Sequence, residues 1–185
     1  MALDDPHRLN GGFDNLPLIL TRSKPRGVAP PFPRRYPDRM QDHPFYALHT
    51  HGLIRVAAAT PAASVGNAGA NARAMLDLAR KADDDGIDLI VFPELSLTSY
   101  AIDDLHLQGA MHRATLAALG EMVDASAALS PVMLVGAALP RNGRLYNCAV
   151  VIARGRILGV VPKTFLPNYR EYYEKRWFAS GAGLT

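Results

Sequence analysis

Apolar and polar positions along the chain fall into two periods that divide it into strands and helices. Leu53 to Ala59 is an apolar run whose only charge is Arg55, and it predicts a short strand. From Asn71 to Ala82, the positions Met75, Leu78, Ala79 and Ala82 make one helical stripe. Asp83, Asp84, Asp85 and Gly86 end it, with glycine suited to a left-handed cap. Ile87 to Phe92, broken only by Asp88, reads as a strand buried on both faces. Pro93 has no N–H for a ladder, so the strand stops there, and Glu94 follows at once. Ile102 to Leu105 reads as a short helical or turn segment. Met111 to Ser130 predicts a second helix with Leu116, Leu119, Val123 and Ala127 on one face, stopped by Pro131. Val132 to Leu139 is another buried strand, and residues 140–143 are a turn by composition. Arg144 to Ala153 and Arg156 to Val161 form a hairpin around Arg154-Gly155. In its first arm Tyr146, Cys148, Val150 and Ile152 share one face; Asn147, Ala149, Val151 and Ala153 share the other. Pro162 stops the second arm and Lys163 follows at once. The whole is the pattern of an α/β fold.

Residues 1–44 carry none of this patterning. Eight of the chain's 14 prolines lie there, arginines are interspersed, and only Leu16 to Leu20 is apolar. Such a segment cannot bury enough surface to offset its ordering entropy. It predicts an irregular or disordered extension ahead of one domain over 45–185, with Met40 as an alternative start. At 185 residues and 49% hydrophobic, the chain can build a sizeable core. The formal charge of +3 is modest and its basic residues are scattered, so no nucleic-acid partner is expected. The single cysteine excludes an internal disulfide and fits a reducing, cytoplasmic compartment. No apolar stretch has the length of a membrane span, and the first residues lack a basic region followed by an apolar one.

Chemistry concentrates after the two strand-ending prolines. In a sheet whose strands run parallel, Glu94 and Lys163 would reach the same crevice. A carboxylate and an ammonium there can serve as general base and oxyanion stabiliser in acyl transfer. With equal weight they can be a buried structural ion pair. Burial would raise the pKa of Glu94 and lower that of Lys163, and their attraction would oppose both shifts. Thr164 to Glu174, dense in aromatics and charges, suits a substrate-facing loop. The aromatic-basic stretch Tyr169 to Trp177 carries the acids Glu171 and Glu174, which argue against single-stranded nucleic acid. His49 and His51 would share a face of a strand, but no third metal ligand has suitable spacing, and they read as polar residues at a strand entry. The consecutive Asp83, Asp84 and Asp85 read as a solvated turn rather than a metal site. Gly136 and Gly155 belong to no phosphate-binding pattern.

Phe92-Pro93-Glu94-Leu95, with Tyr100 downstream, resembles the glutamate motif of the nitrilase (carbon–nitrogen hydrolase) superfamily. Residues Pro162 to Pro167 resemble its lysine motif. Tyr169-Arg170-Glu171-Tyr172-Tyr173-Glu174 is similar to the next segment of one branch, the glutaminase domain of glutamine-dependent NAD synthetase. Phe45-Tyr46, His51-Gly52 and Arg55-Val56-Ala57 resemble that branch as well. The resemblance runs from about Phe45 to Gly183. It implies an α-β-β-α sandwich, present here in its N-terminal part only, that assembles into homo-oligomers. It also implies a Glu-Lys-Cys triad in which Glu94 is the base and Lys163 the oxyanion stabiliser. Tyr169 and Tyr100 would then line a glutamine pocket, and Glu174 would position the lysine and the nucleophile. The expected reaction is attack of the thiolate on the glutamine amide, with ammonia passed to the chain's own C-terminal synthetase domain for amidation of deamido-NAD. ATP and magnesium are expected in that domain and no cofactor in this segment. The family's cysteine is expected beyond Thr185, whereas Cys148, in mid-strand, reads as a small buried hydrophobe. The chain is therefore expected to be inactive alone. A piece of a generic nitrilase or amidase, or a non-catalytic interaction piece, are the other readings. Ser99 stands where the family usually has glycine, a departure that is tolerable if the backbone there avoids a positive φ.

Overall fold

The computed structural model describes residues 47–184. The expected extension over 1–44, Met40 and the Phe45-Tyr46 pair lie outside the described residues. Strands β1 (Val56–Ala58), β2 (Leu89–Val91), β3 (Val132–Arg141), β4 (Arg144–Ala153) and β5 (Arg156–Pro162) form one sheet in the order β1-β2-β3-β4-β5. The first three are parallel and β4 is antiparallel to both its neighbours, so β5 again points the same way as β2 and β3. Helix α1 (Ala68–Asp84) joins β1 to β2, and α2 (Gly109–Ser126) precedes β3.

Both helices lie on one face of the sheet. Met75, Leu76 and Ala79 of α1 and Leu119 and Met122 of α2 close over Ile90, Met133, Val135, Val150 and Ile152 in one core. The alternation predicted for β4 holds, since Tyr146, Cys148, Val150 and Ile152 all enter that core. Among the described residues this is one helix-covered sheet, the first α-β half of the expected α-β-β-α arrangement. No helix among them is long and apolar enough to cross a membrane.

Local chemistry sets the ends of the elements. Asn67 caps α1 by accepting from the Ala70 N–H at 3.0 Å. After the helix, Gly86 takes φ +68°, the left-handed form predicted for it. Asp88, the one charge in the β2 run, accepts from the Arg55 N–H at 2.8 Å and so holds the entry of β1 against that of β2. The β1 ladder is shorter than its apolar run, and Leu53 and Ile54 are exposed ahead of it.

Three expectations need correction. The buried face of α2 is Thr115, Ala118, Leu119, Met122 and Ser126; Leu116 and Val123 sit at its edge and Ala127 is exposed. The α2 stripe therefore turns by about one residue, because Thr115 and Ser126 satisfy their hydroxyls on Met111 O and Val123 O and can be buried. Pro140 and Arg141 belong to β3, and the turn is the two residues Asn142-Gly143, both at positive φ. That is the tight hairpin turn that matches strand twist, and Arg154-Gly155 repeats it. His49 and His51 lie in a single 3-10 turn, Leu48–His51, rather than at a strand entry.

Candidate active site

Glu94 and Lys163 follow β2 and β5, whose C-termini point the same way but are separated by two strands. Strands in a sheet are about 4.8 Å apart, so neither side chain could reach the other from its own strand end. The chain after β2 closes that gap by crossing the face of β3 that has no helices. The crossing is fixed at Gly136, where Leu97 N–H donates to Gly136 O at 3.1 Å and Gly136 N–H donates to Ser96 Oγ at 3.1 Å. A Cβ on Gly136 would fall within 2.8 Å of the Glu94 carbonyl carbon and closer still to Pro93 O. Glycine is required here for close backbone approach, not for its torsion angles. From the helix side, the amide of buried Asn71 donates to Leu97 O at 2.9 Å and holds the back of the same turn.

Glu94 is thereby delivered above β4. Its Oε1 accepts a short hydrogen bond from Asn147 Nδ2 and one from Lys163 Nζ at 2.8 Å. Asn147 and Lys163 are cross-strand neighbours, with Lys163 N–H donating to Asn147 O at 2.7 Å. Lys163 Nζ also donates to Glu174 Oε1 at 2.9 Å, and Tyr100 Oη donates to the same oxygen at 2.9 Å. The ammonium is thus held between two carboxylates in different surroundings. The Glu94 side chain is 45% exposed and that of Glu174 is 1% exposed. Glu174 Oε2 is buried without a hydrogen-bond partner.

Partial burial works to lower the pKa of Lys163, but the hydrogen bonds and charges of Glu94 and Glu174 outweigh it, and the net displacement is upward. Of the two opposed effects expected for Lys163, attraction wins. Burial, with the Glu174 hydrogen bond and charge, pushes the Tyr100 phenol far above its ordinary value, so it acts here as a fixed donor. An open cleft of about 330 Å³ adjoins the group, with Leu134, Ala149 and Val161 lining it beside Glu94, Asn147 and Lys163.

Four of the five residues singled out from the sequence therefore meet: Glu94, Lys163, Glu174 and Tyr100. The fifth, Tyr169, is 65% exposed and packs edge-to-face on Tyr172, with centroids 6.0 Å apart. Cys148 faces away from this group, into the helix-side core, with its thiol pushed up to about 12 by burial. The condition stated for Ser99 is not met, since its φ is +71°. The sequence reading missed Gly136 and Asn147. Asn147 left a signal, as the one polar residue on its face of an alternating strand; Gly136 left none beyond being a glycine inside an apolar run.

The carbon-nitrogen hydrolase family model matches residues 55–183. The glutamine-dependent NAD(+) synthetase of Mycobacterium tuberculosis is 51% identical over 139 residues, covering 75% of this chain and 20% of that protein. That of Acinetobacter baylyi is 34% identical over 129 residues, covering 69% of this chain and 23% of the relative. The chain thus spans about a fifth of the length of these curated relatives. Among solved structures, the glutamine-dependent NAD+ synthetase of Acinetobacter baumannii in complex with ADP superposes with a TM-score of 0.65 at 34% identity, over 69% of this chain and 24% of that one. An amidase from Nesterenkonia sp. shares the fold at a TM-score of 0.58 and 20% identity, over 69% of this chain and 48% of that one.

Proposed function

The chain belongs to the carbon-nitrogen hydrolase family, and from that membership we propose that it carries the base and the lysine of a glutaminase site that supplies ammonia for NAD synthesis. The observation that carries this reading is Lys163. Its ammonium is gripped by a buried carboxylate, Glu174, and by a half-exposed one, Glu94, at the mouth of an open cleft. A structural ion pair has no need of an accessible carboxylate, whereas a general base must reach its proton.

In the proposed reaction Glu94 takes the proton of a cysteine thiol, and sulfur bonds to the amide carbon of glutamine. The carbonyl electrons move to oxygen, where Lys163 stabilises them. The C–N bond then breaks, and the amine leaves as ammonia with the proton returned by Glu94. Water hydrolyses the thioester to glutamate. Glu174 and Tyr100 keep Lys163 in place, and Tyr169 belongs to the pocket rim. Cys148 is not the nucleophile, because its side chain lies in the helix-side core. We assign residues 45–185 to part of a homo-oligomeric glutaminase domain. ATP and magnesium are assigned to a separate synthetase domain that amidates deamido-NAD.

An ammonia assay with glutamine tests both parts. The 185-residue protein is expected to release no more ammonia than its Glu94→Gln variant, and release above that control overturns the exclusion of Cys148. In a longer chain that includes the nucleophile, Glu94→Gln is expected to slow release by about 100-fold or more. Unchanged release there removes the glutaminase reading.

A further inference from the structure

Two surface segments meet beside the site, and each begins with a residue that belongs to it. One runs from Tyr100 into the 3-10 turn Asp103–Leu107; the other starts at Glu174, which opens the 3-10 turn Glu174–Arg176. They touch twice. The inner contact is the Tyr100 hydrogen bond to Glu174. The outer contact converges on Asp104: Arg176 donates from Nε to one carboxylate oxygen at 2.6 Å and from its terminal nitrogen to the other at 2.7 Å. Trp177 Nε1 adds a third bond at 3.0 Å. Beside them Tyr173 Oη donates to Asp103 at 3.2 Å.

The side chains of Asp104 and Arg176 are 58% and 57% exposed. A surface pair of that kind contributes little to stability as a rule. A fork of two parallel bonds plus an indole donor on one carboxylate does, however, fix orientation. What it fixes is the turn that carries Glu174. The Glu174 carbonyl accepts from the N–H groups of Trp177 and Phe178, so movement of Trp177 is passed to Glu174 through its own backbone.

We propose that Asp104 is a positioning residue: through Arg176 and Trp177 it holds Glu174 at the distance that keeps the Lys163 ammonium in place. This deepens the site assigned above and rests on that assignment for its catalytic meaning, but it can be tested without glutamine or a nucleophile. Acetylation by an N-hydroxysuccinimide ester follows the free-amine fraction, and a fall of one pKa unit raises that fraction about tenfold. The readout is the rate at Lys163 relative to Lys81 of the same molecule, measured by mass spectrometry on the 185-residue protein.

Asp104→Asn removes the charge. Arg176→Lys keeps the net charge and loses the fork. Both are expected to raise the Lys163/Lys81 ratio by about threefold to tenfold. Trp177, the chain's only tryptophan, should shift its emission to longer wavelength in both. In a Glu174→Gln background neither substitution should change the ratio further. An unchanged ratio in the folded variants overturns the proposal, and so does a rise that persists without Glu174. Should Asp104→Asn fail to fold by circular dichroism, Arg176→Lys decides alone. A failure here leaves the ammonia assay untouched, and a failed ammonia assay leaves this readout valid.

Discussion

Ser99 shows most directly what a single position costs this site. Its φ of +71° is in the left-handed region, which disfavours residues with a Cβ by about 1–2 kcal/mol. Its Oγ is also buried without a hydrogen-bond partner. Glycine would remove both penalties and add back about 0.5–1 kcal/mol of unfolded-chain entropy. Ser99→Gly is therefore expected to stabilise the protein by about 1 kcal/mol, read as a higher urea midpoint at unchanged slope. A lower midpoint would mean that the serine makes a compensating contact. At this scale the sequence was informative where a residue's type announced its chemistry. Glu94 and Lys163 were legible because a charge stands directly after an apolar run and a proline. Glu174 and Tyr100 became legible only through the resemblance, since nothing in their spacing foretells a bond across 74 positions. The φ of Ser99 was not legible, because side-chain type does not force φ when the surrounding hydrogen bonds over-determine it.

Between elements, the decisive event is the crossing of β3 by the chain that leaves β2. Gly136 lies where Pro93, Glu94 and Leu95 pass over the strand. Gly136→Ala would have to push backbone aside, not the flexible end of a side chain. It is expected to destabilise the fold by about 1–3 kcal/mol and to lift Glu94 away from Lys163. The urea midpoint should fall, and acetylation of Lys163 relative to Lys81 should rise. Normal values for both would mean that the turn can slide along the strand. The strands and helices themselves were legible from periodicity, to within a few residues at their ends. The α2 face was misread because apolar type was taken as the mark of burial, while Thr115 and Ser126 are buried with their hydroxyls satisfied on the helix backbone. The crossing was invisible because it depends on which strands become neighbours, and apolar runs do not encode strand order.

For the whole molecule, the two faces of the sheet differ in how they are held. The helix face closes over a continuous core, whereas the site face is packed by a small cluster of Leu95, Ala138, Leu145, Trp177 and Phe178. His106 lies against that cluster, 1% exposed, with ring centroids 5.5 Å from Trp177 and 4.9 Å from Phe178. Its Nε2 bonds to Tyr100 O at 3.3 Å, and its Nδ1 is buried without a partner. The neutral form with hydrogen on Nε2 is satisfied, and a second proton would have no acceptor. Burial accordingly lowers the His106 pKa from its ordinary 6.5, against the opposing pull of the Tyr100 carbonyl and the Asp103 charge, while His112 adds to the lowering. Between the folded value and 6.5 the unfolded chain binds a proton that the folded chain does not, so stability rises with pH through that window and levels off above it. Acidification below about pH 6.5 should therefore loosen the site face, and with it the bond from Tyr100 to Glu174. Urea midpoints measured from pH 8 to pH 5 should be level at the upper end and fall below 6.5, and His106→Gln should flatten that fall. An identical slope in the variant would place the acid sensitivity elsewhere in the chain.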